Sequence, residues 1–386
     1  MIVYDKRELE NLTLVEEAHS LKNAGFIDGQ QYKGITKQLQ IPKSNNNLLI
    51  RLAFFILGTF LYSSICGFLT LISEDLIDEN FKVIVFLYAA VGFAGAEVLS
   101  RLKLYGHGLD DAFILGSQLT LAIAIGILTD GNEIVIASII TLTALISYLR
   151  YLHLSMALQF CLALAATVIY AMFEIGTFGK TILPFVMMLF ALTIYFLSKK
   201  VVPKLTNPFY HKGISLANNF SLILFYFSGN YLVVRELSVA LLGAAIAPNS
   251  DIPFAPFFYG FTFVVPLFYL VYAILKKDRI MLWIGFLALG FSIYTIHFYY
   301  PILSMEIIFT ISGVLLFAFT YLAIKKLKDK ETGFTFKPDR FAKTNTFLDA
   351  EILISSQLGL KPETSTGSNI EFGGGDFSGG GSGGSF

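Results

Sequence analysis

Apolar runs of about twenty residues dominate the chain, recurring at roughly 52–72, 82–100, 111–128, 133–149, 152–173, 181–198, 215–232, 257–275, 280–297 and 304–324. A helix needs about 20 apolar residues to cross a hydrocarbon core of about 30 Å. In that medium every backbone N–H and C=O must be bonded within the protein, so nothing else in the sequence limits the fold as strongly. The runs are too long and too uniformly apolar to be the alternating strands of a membrane barrel. The expectation is therefore all-α, a polytopic transmembrane bundle of about ten helices embedded in the lipid bilayer. Composition agrees, because a chain that is 55% hydrophobic and 15% charged cannot keep a soluble surface wet.

Lys and Arg are retained on the cytoplasmic side of spans, which gives an independent test of the threading. With the N-terminus inside, the inner connections hold Arg101 and Lys103, Arg150, then Lys199, Lys200, Lys204 and Lys212, then Lys276, Lys277 and Arg279. Lys325, Lys326, Lys328 and Lys330 follow the last run. The outer connections, such as "SEDLIDENFK", "TDGNE" and "APNSDIPFAP", are acidic or neutral apart from Lys82 and Lys180. Every crossing has the same bias, so both termini are expected in the cytoplasm. The first 47 residues are polar and show no cleavable signal, which makes the first run an uncleaved anchor. From Ile214 to Ala247 the chain is nearly all apolar, and one straight helix of that length would be about 50 Å, too long for the bilayer. A break is expected at Gly229 and Asn230, followed by a short interfacial or re-entrant helix on the outer face.

The ends divide off as separate units. Residues 1–47 are expected as a cytoplasmic helical hairpin, with capping boxes at Asp5/Glu8 and Asp28/Gln31 and Gly25 closing the first helix. Residues 48–325 are the bundle. The 326–360 segment carries a short amphipathic helix capped by Thr346 and Asp349, and 361–386 is a Gly/Ser-rich tail too poor in apolar surface to fold.

The hairpin stretch "SLKNAGFIDGQQYKGITKQL" resembles the cytoplasmic hairpin that opens bacterial families of polytopic membrane proteins of unknown function. The tail "FGGGDFSGGGSGGSF" is similar to the Gly-Ser-aromatic C-termini of bacterial TPM-domain membrane proteins, although this chain ends on Phe386 where a Trp is common. The resemblances imply a protein of the bacterial inner membrane and transfer no catalytic residue.

Chemistry-bearing patterns are sparse. Equal numbers of acidic and basic residues give no field for nucleic acid. Cys66 and Cys161 lie far apart inside apolar runs, and the five histidines, His19, His107, His153, His211 and His297, never fall at metal-ligand spacing. No P-loop, H-E-x-x-H or G-x-S-x-G occurs. Hence no catalytic, cofactor or metal residues are expected. Polar groups inside spans are costly and are candidates by default. Glu97 is expected to pair with Arg101 one turn on, and Gln118, Asn218, Asn219 and Glu306 read as interhelical bonding groups. Asn230, Arg235 and Glu236 stand out because a broken helix places free backbone groups beside polar side chains.

Two functions follow. One is a non-enzymatic scaffold or assembly factor that recruits a cytoplasmic protein through the hairpin or the tail, presenting Phe372, Phe377 and Phe386 on flexible glycines. The other is a small-molecule transporter with a site at the broken seventh run, since ten spans divide into two inverted halves of five. An intramembrane enzyme would require Glu97, a histidine and a polar cavity to converge.

Overall fold

The computed structural model describes residues 2–23, 26–44, 47–202, 208–242, 251–276 and 278–299, with isolated positions between 307 and 325. Among these residues the regular elements are helices, apart from one backbone pairing of Lys43 with Leu104. They are α1 (Lys6–Asn23), α2 (Gly29–Gln38), α3 (Leu48–Ile72), α4 (Glu74–Arg101), α5 (Leu109–Leu128) and α6 (Glu133–Tyr151). The series continues with α7 (Leu154–Glu174), α8 (Thr177–Val201), α9 (His211–Gly229), α10 (Tyr231–Leu242), α11 (Ala255–Lys276) and α12 (Arg279–Tyr299). Eight of them are long and apolar enough to cross a bilayer, and α9 with α10 would make a ninth as one bent span. The protein is thus an all-α, multi-pass membrane protein. The expected tenth run, the 326–360 segment and the tail with Phe372, Phe377 and Phe386 fall outside the described residues, save those isolated positions.

Local chemistry sets the helix starts. Asn47 caps α3 through the Leu49 N–H, Asn132 caps α6 through Val135, and Asp278 opens α12 by accepting from Ile280 and Met281. At α2 the full capping box is present: Asp28 accepts from the Gln31 N–H while the Gln31 side chain accepts from the Asp28 N–H. The box expected at α1 does not form. Asp5 accepts from the Arg7 N–H, and Glu8 instead reaches Lys103 on the bundle, because an ion pair competes with the cap for the same carboxylate.

Helices α3, α4 and α5 form one group, α6 packs on α7, α8 on α9 and α11 on α12. α9 joins the halves, touching α7, α8, α10, α11 and α12. Small residues allow the close crossings: a side chain at Gly92 would collide with Ser117, so α4 and α5 meet there almost backbone to backbone, beside a fully buried Ala96. α3 is peripheral, with only Gly58 and Tyr62 buried, and leaves Leu57, Phe60 and Leu71 to lipid.

Two ends follow from the alternating directions. One carries the α1–α2 hairpin and the α4–α5, α6–α7, α8–α9 and α11–α12 connections. The other carries the α3–α4, α5–α6 and α7–α8 connections and α10. The long apolar run does break: α9 stops at Gly229 and α10 leaves at 69°. Gly229 is required there because a Cβ would strike the Phe261 ring and the Met188 methyl.

Candidate functional site

Among the described residues, buried titratable side chains gather at the hairpin end, where Asp110, Asp111 and His153 meet around the short connection "YGHGLDD". Gly106 and Gly108 take φ of 63° and 110°, a region that favours glycine, so the chain can turn at once from α4 into α5. The turn is held by Asp110, whose carboxylate accepts from the N–H groups of Gly106 (2.7 Å), His107 (2.9 Å) and Gly108 (3.0 Å). Asp111, next along the first turn of α5, accepts a two-pronged bond from Arg51 of α3, at 2.6 Å from Nε and 2.8 Å from Nη2. Leu152, at φ 57°, ends α6 in the left-handed region and delivers His153 to the same spot. A β-carbon-bearing residue in that region is uncommon and marks a place where surrounding packing overrides local preference.

His153 sits between the two carboxylates. Its Nδ1 is 2.8 Å from Asp111 Oδ1, and its Nε2 is 3.1 Å from Asp110 Oδ2 but is poorly aligned for a hydrogen bond. Asp110 is 0% exposed and His153 4%. With His153 protonated, two carboxylates face one imidazolium and one guanidinium, and the cluster is neutral. Burial opposes charge on the imidazole, but the bonds and attraction from Asp110 and Asp111 outweigh it and hold the His153 pKa up at about 9. A charge-balanced buried quartet is what a low-dielectric site demands, since an unpaired ion there would be prohibitive.

The N-terminal segment closes over this cluster. Tyr105 meets the His153 ring edge to face at 5.6 Å, and Tyr4 meets Tyr105 in the same way at 5.1 Å. The Tyr4 hydroxyl donates to the Leu104 carbonyl at 3.1 Å and lies 3.3 Å from the Ser100 hydroxyl; burial pushes its pKa up. The Val3 N–H donates to the Arg150 carbonyl, and Tyr4 and Leu9 pack on Leu152. Farther along α1, Glu8 pairs with Lys103, and Glu16 accepts from Lys212 at 2.9 Å.

The residues singled out from sequence are dispersed. Glu97 is paired chiefly across helices: Arg150 of α6 grips it from Nη2 at 2.6 Å and from Nε at 3.0 Å, while Arg101 stays at 3.9 Å with 77% of its side chain exposed. The intrahelical pairing expected for Glu97 is therefore secondary, because Arg150 approaches in the two-pronged geometry and Arg101 points to solvent. Gln118 is buried and bridges α5 to α6, donating to Ser147 at 3.0 Å and accepting from Thr143 at 2.9 Å. Asn218 accepts from Ser198.

Asn230 is fully buried at the α9–α10 break. Its Oδ1 accepts from the N–H groups of Leu232 and Val233, as an N-cap, and its Nδ2 donates to Tyr226 and Thr295. Beyond the break, Arg235 lies over the Tyr299 ring at 4.6 Å, donates to the Tyr231 hydroxyl at 2.8 Å and stands 4.0 Å from Asp251. Glu236 accepts from the Tyr299 hydroxyl at 2.6 Å. The three residues share one end of the bundle, yet Asn230 points into the α9–α12 core and the two charges engage the tyrosines around them.

Sequence reasoning passed over Arg51, Asp110, Asp111 and His153. Two adjacent carboxylates opening an apolar run behind a Gly-x-Gly turn were the available signal. The partners, however, come from runs 60 and 42 residues away, which no spacing rule connects. Among the described residues no cluster of His, Cys, Asp and Glu is arranged to hold a metal ion. An apolar cleft of about 250 Å³ between α6 and α7, lined by Ile136, Ile140, Ala163 and Tyr170 among others, brings no convergent polar groups. No protein-family model, curated protein or solved structure matches the chain.

Proposed function

We propose that the protein is a non-enzymatic membrane scaffold or assembly factor that recruits a partner at its hairpin end, which faces the cytoplasm of a bacterial cell. The observation that carries this reading is the way the hairpin is fastened. α1 and the residues before it are tied to the α4–α5 connection through Tyr4 and Glu8 and to the first turn of α9 through Glu16, while α2 has no fully buried side chain and turns Lys33, Lys37 and Gln30 outward. A module held rigidly by one helix presents the other at little entropic cost on binding. Arg101, Lys103, Lys199, Lys200, Lys276 and Arg279 lie at the same end, and Asp130, Glu133 and Glu174 at the other, which supports a cytoplasmic hairpin. In the same proposal the Gly-Ser-aromatic tail, by its likeness to TPM-domain proteins, is a second tether presenting Phe372, Phe377 and Phe386.

The test is a photo-crosslinking amino acid at position 30 of α2, with position 130 as control, in full-length protein and in a version ending at Ile370. One adduct formed from α2 and lost on Lys33→Glu/Lys37→Glu supports recruitment there, and one lost with the tail supports the tether. The same captures from α2 and from position 130 would refute the scaffold.

The 69° break at Asn230 favours a second reading, a transporter with its site beside Arg235 and Glu236. Wild-type flux after replacing Asn230, Arg235 and Glu236 together would exclude that site.

A further inference from the structure

Four elements converge on His153, and together they isolate a titratable group from water. α5 supplies Asp110 and Asp111, α3 supplies Arg51 through Asp111, the α4–α5 connection supplies Tyr105, and the N-terminal segment lays Tyr4 over Tyr105. The next charges out are Arg150, held by Glu97, and the Lys103–Glu8 and Lys212–Glu16 pairs. We propose that Asp110, His153 and Asp111 form an occluded proton-binding site, and that residues 2–9 are the strap over it, so that the proton exchanges only when the strap lifts.

Three features support the coupling. The proton that leaves is the one on Nε2, because Nδ1–H is aligned on Asp111 while Nε2 lacks an aligned acceptor. Its loss to water takes the quartet from neutral to a net charge of −1. The strap shuts this cluster from water through Tyr4 and Tyr105, and a dry site holds the neutral quartet at less cost than the charged one, so proton loss disfavours docking. Strap docking and proton binding then favour each other by the same factor, as linkage requires. The inference does not depend on partner recruitment. A scaffold and a transporter could each carry such a latch.

Full-length protein in nanodiscs would be incubated in D₂O across pH 6 to 11 (chosen, about, to bracket imidazole titration), and exchange at the imidazole C2 position read by mass spectrometry for each histidine. That signal gives both the titration midpoint and solvent access of His153, with His297 at the other end as internal control. Wild type should show a midpoint near 9 and slow exchange. Tyr4→Ala, and separately Glu8→Gln/Glu16→Gln, should lower the midpoint by about one unit and speed exchange about tenfold. Tyr4→Ala tests the lid itself, and the glutamine pair tests the strap without touching the aromatic column. An ordinary midpoint near the free imidazole value in wild type would overturn the site. An unchanged midpoint and rate in both strap variants would overturn the occlusion.

Discussion

Replacing Asn230 by Ala separates a structural role for the broken helix from a transport role. Two losses follow from the geometry. The N-cap bonds to Leu232 and Val233 disappear, worth about 1 kcal/mol for α10. The hydroxyls of Tyr226 and Thr295 lose a buried partner as well, although Tyr226 keeps the Ala288 carbonyl and Thr295 the Phe291 carbonyl, which limits that part to about 1 kcal/mol. A total of about 2 kcal/mol, falling on one short helix, should accelerate amide exchange in 231–236 by about thirtyfold. Exchange in α5 and α6, which share no partner with Asn230, should stay at wild-type rates. Peptide-resolved hydrogen exchange in nanodiscs reads both regions in one experiment. Asn230→Asp keeps the capping oxygens but loses the two donated bonds, so it should fall between. If α10 protection is the same in Asn230→Ala as in wild type, the cap does not hold the break and this reasoning fails.

Other substitutions probe the hairpin end. Gly108→Ala combines a φ of 110° with a Cβ driven into the Arg51 carbonyl oxygen, so the α3–α5 contact should lose about 2 kcal/mol or more, seen as a lowered thermal midpoint in a fixed detergent. Glu97→Gln should destabilise through the Arg150 pair, whereas Arg101→Ala should change stability by less than about 0.5 kcal/mol; equal effects would reverse the assignment of partners. Because the His153 pKa is raised on folding, from an ordinary 6.5 to about 9, its contribution to stability is complete below pH 6.5 and is lost as pH climbs through about 9. Unfolding midpoints measured from pH 6 to 10 (about the imidazole range) should therefore fall at the alkaline end in wild type and stay flatter in His153→Gln. Gly92→Ala should push α4 away from Ser117 and expose Tyr62, checked by exchange in 113–120.

Among the described residues the helical class and the positions of the long apolar helices were legible in the chain because bilayer thickness imposes a length that sequence displays directly. The run expected at 111–128 is helix Leu109–Leu128, and that expected at 257–275 is Ala255–Lys276. The break at Gly229–Asn230 was legible too, since a run that long cannot fit the hydrocarbon as one straight helix. The Asp28 box could be read from four consecutive residues because every bond in it is local.

What sequence left open depends on which helices meet. Glu97 had a visible partner one turn away and a better one 53 residues on, and only the reach of Arg150 from the end of α6 to α4 decides between them. The Asp110, Asp111, His153 and Arg51 quartet is the same case enlarged. Each residue alone reads as an interfacial charge or a stray histidine, and its cost or value is undefined until the others close around it. Local bonding and bilayer thickness act within a segment, so the sequence by itself determined the long helices among the described residues, the Asp28 cap and the break. Charge compensation in a dry interior acts between segments, so only the tertiary structure decided where the buried ions are and that Tyr4 covers them.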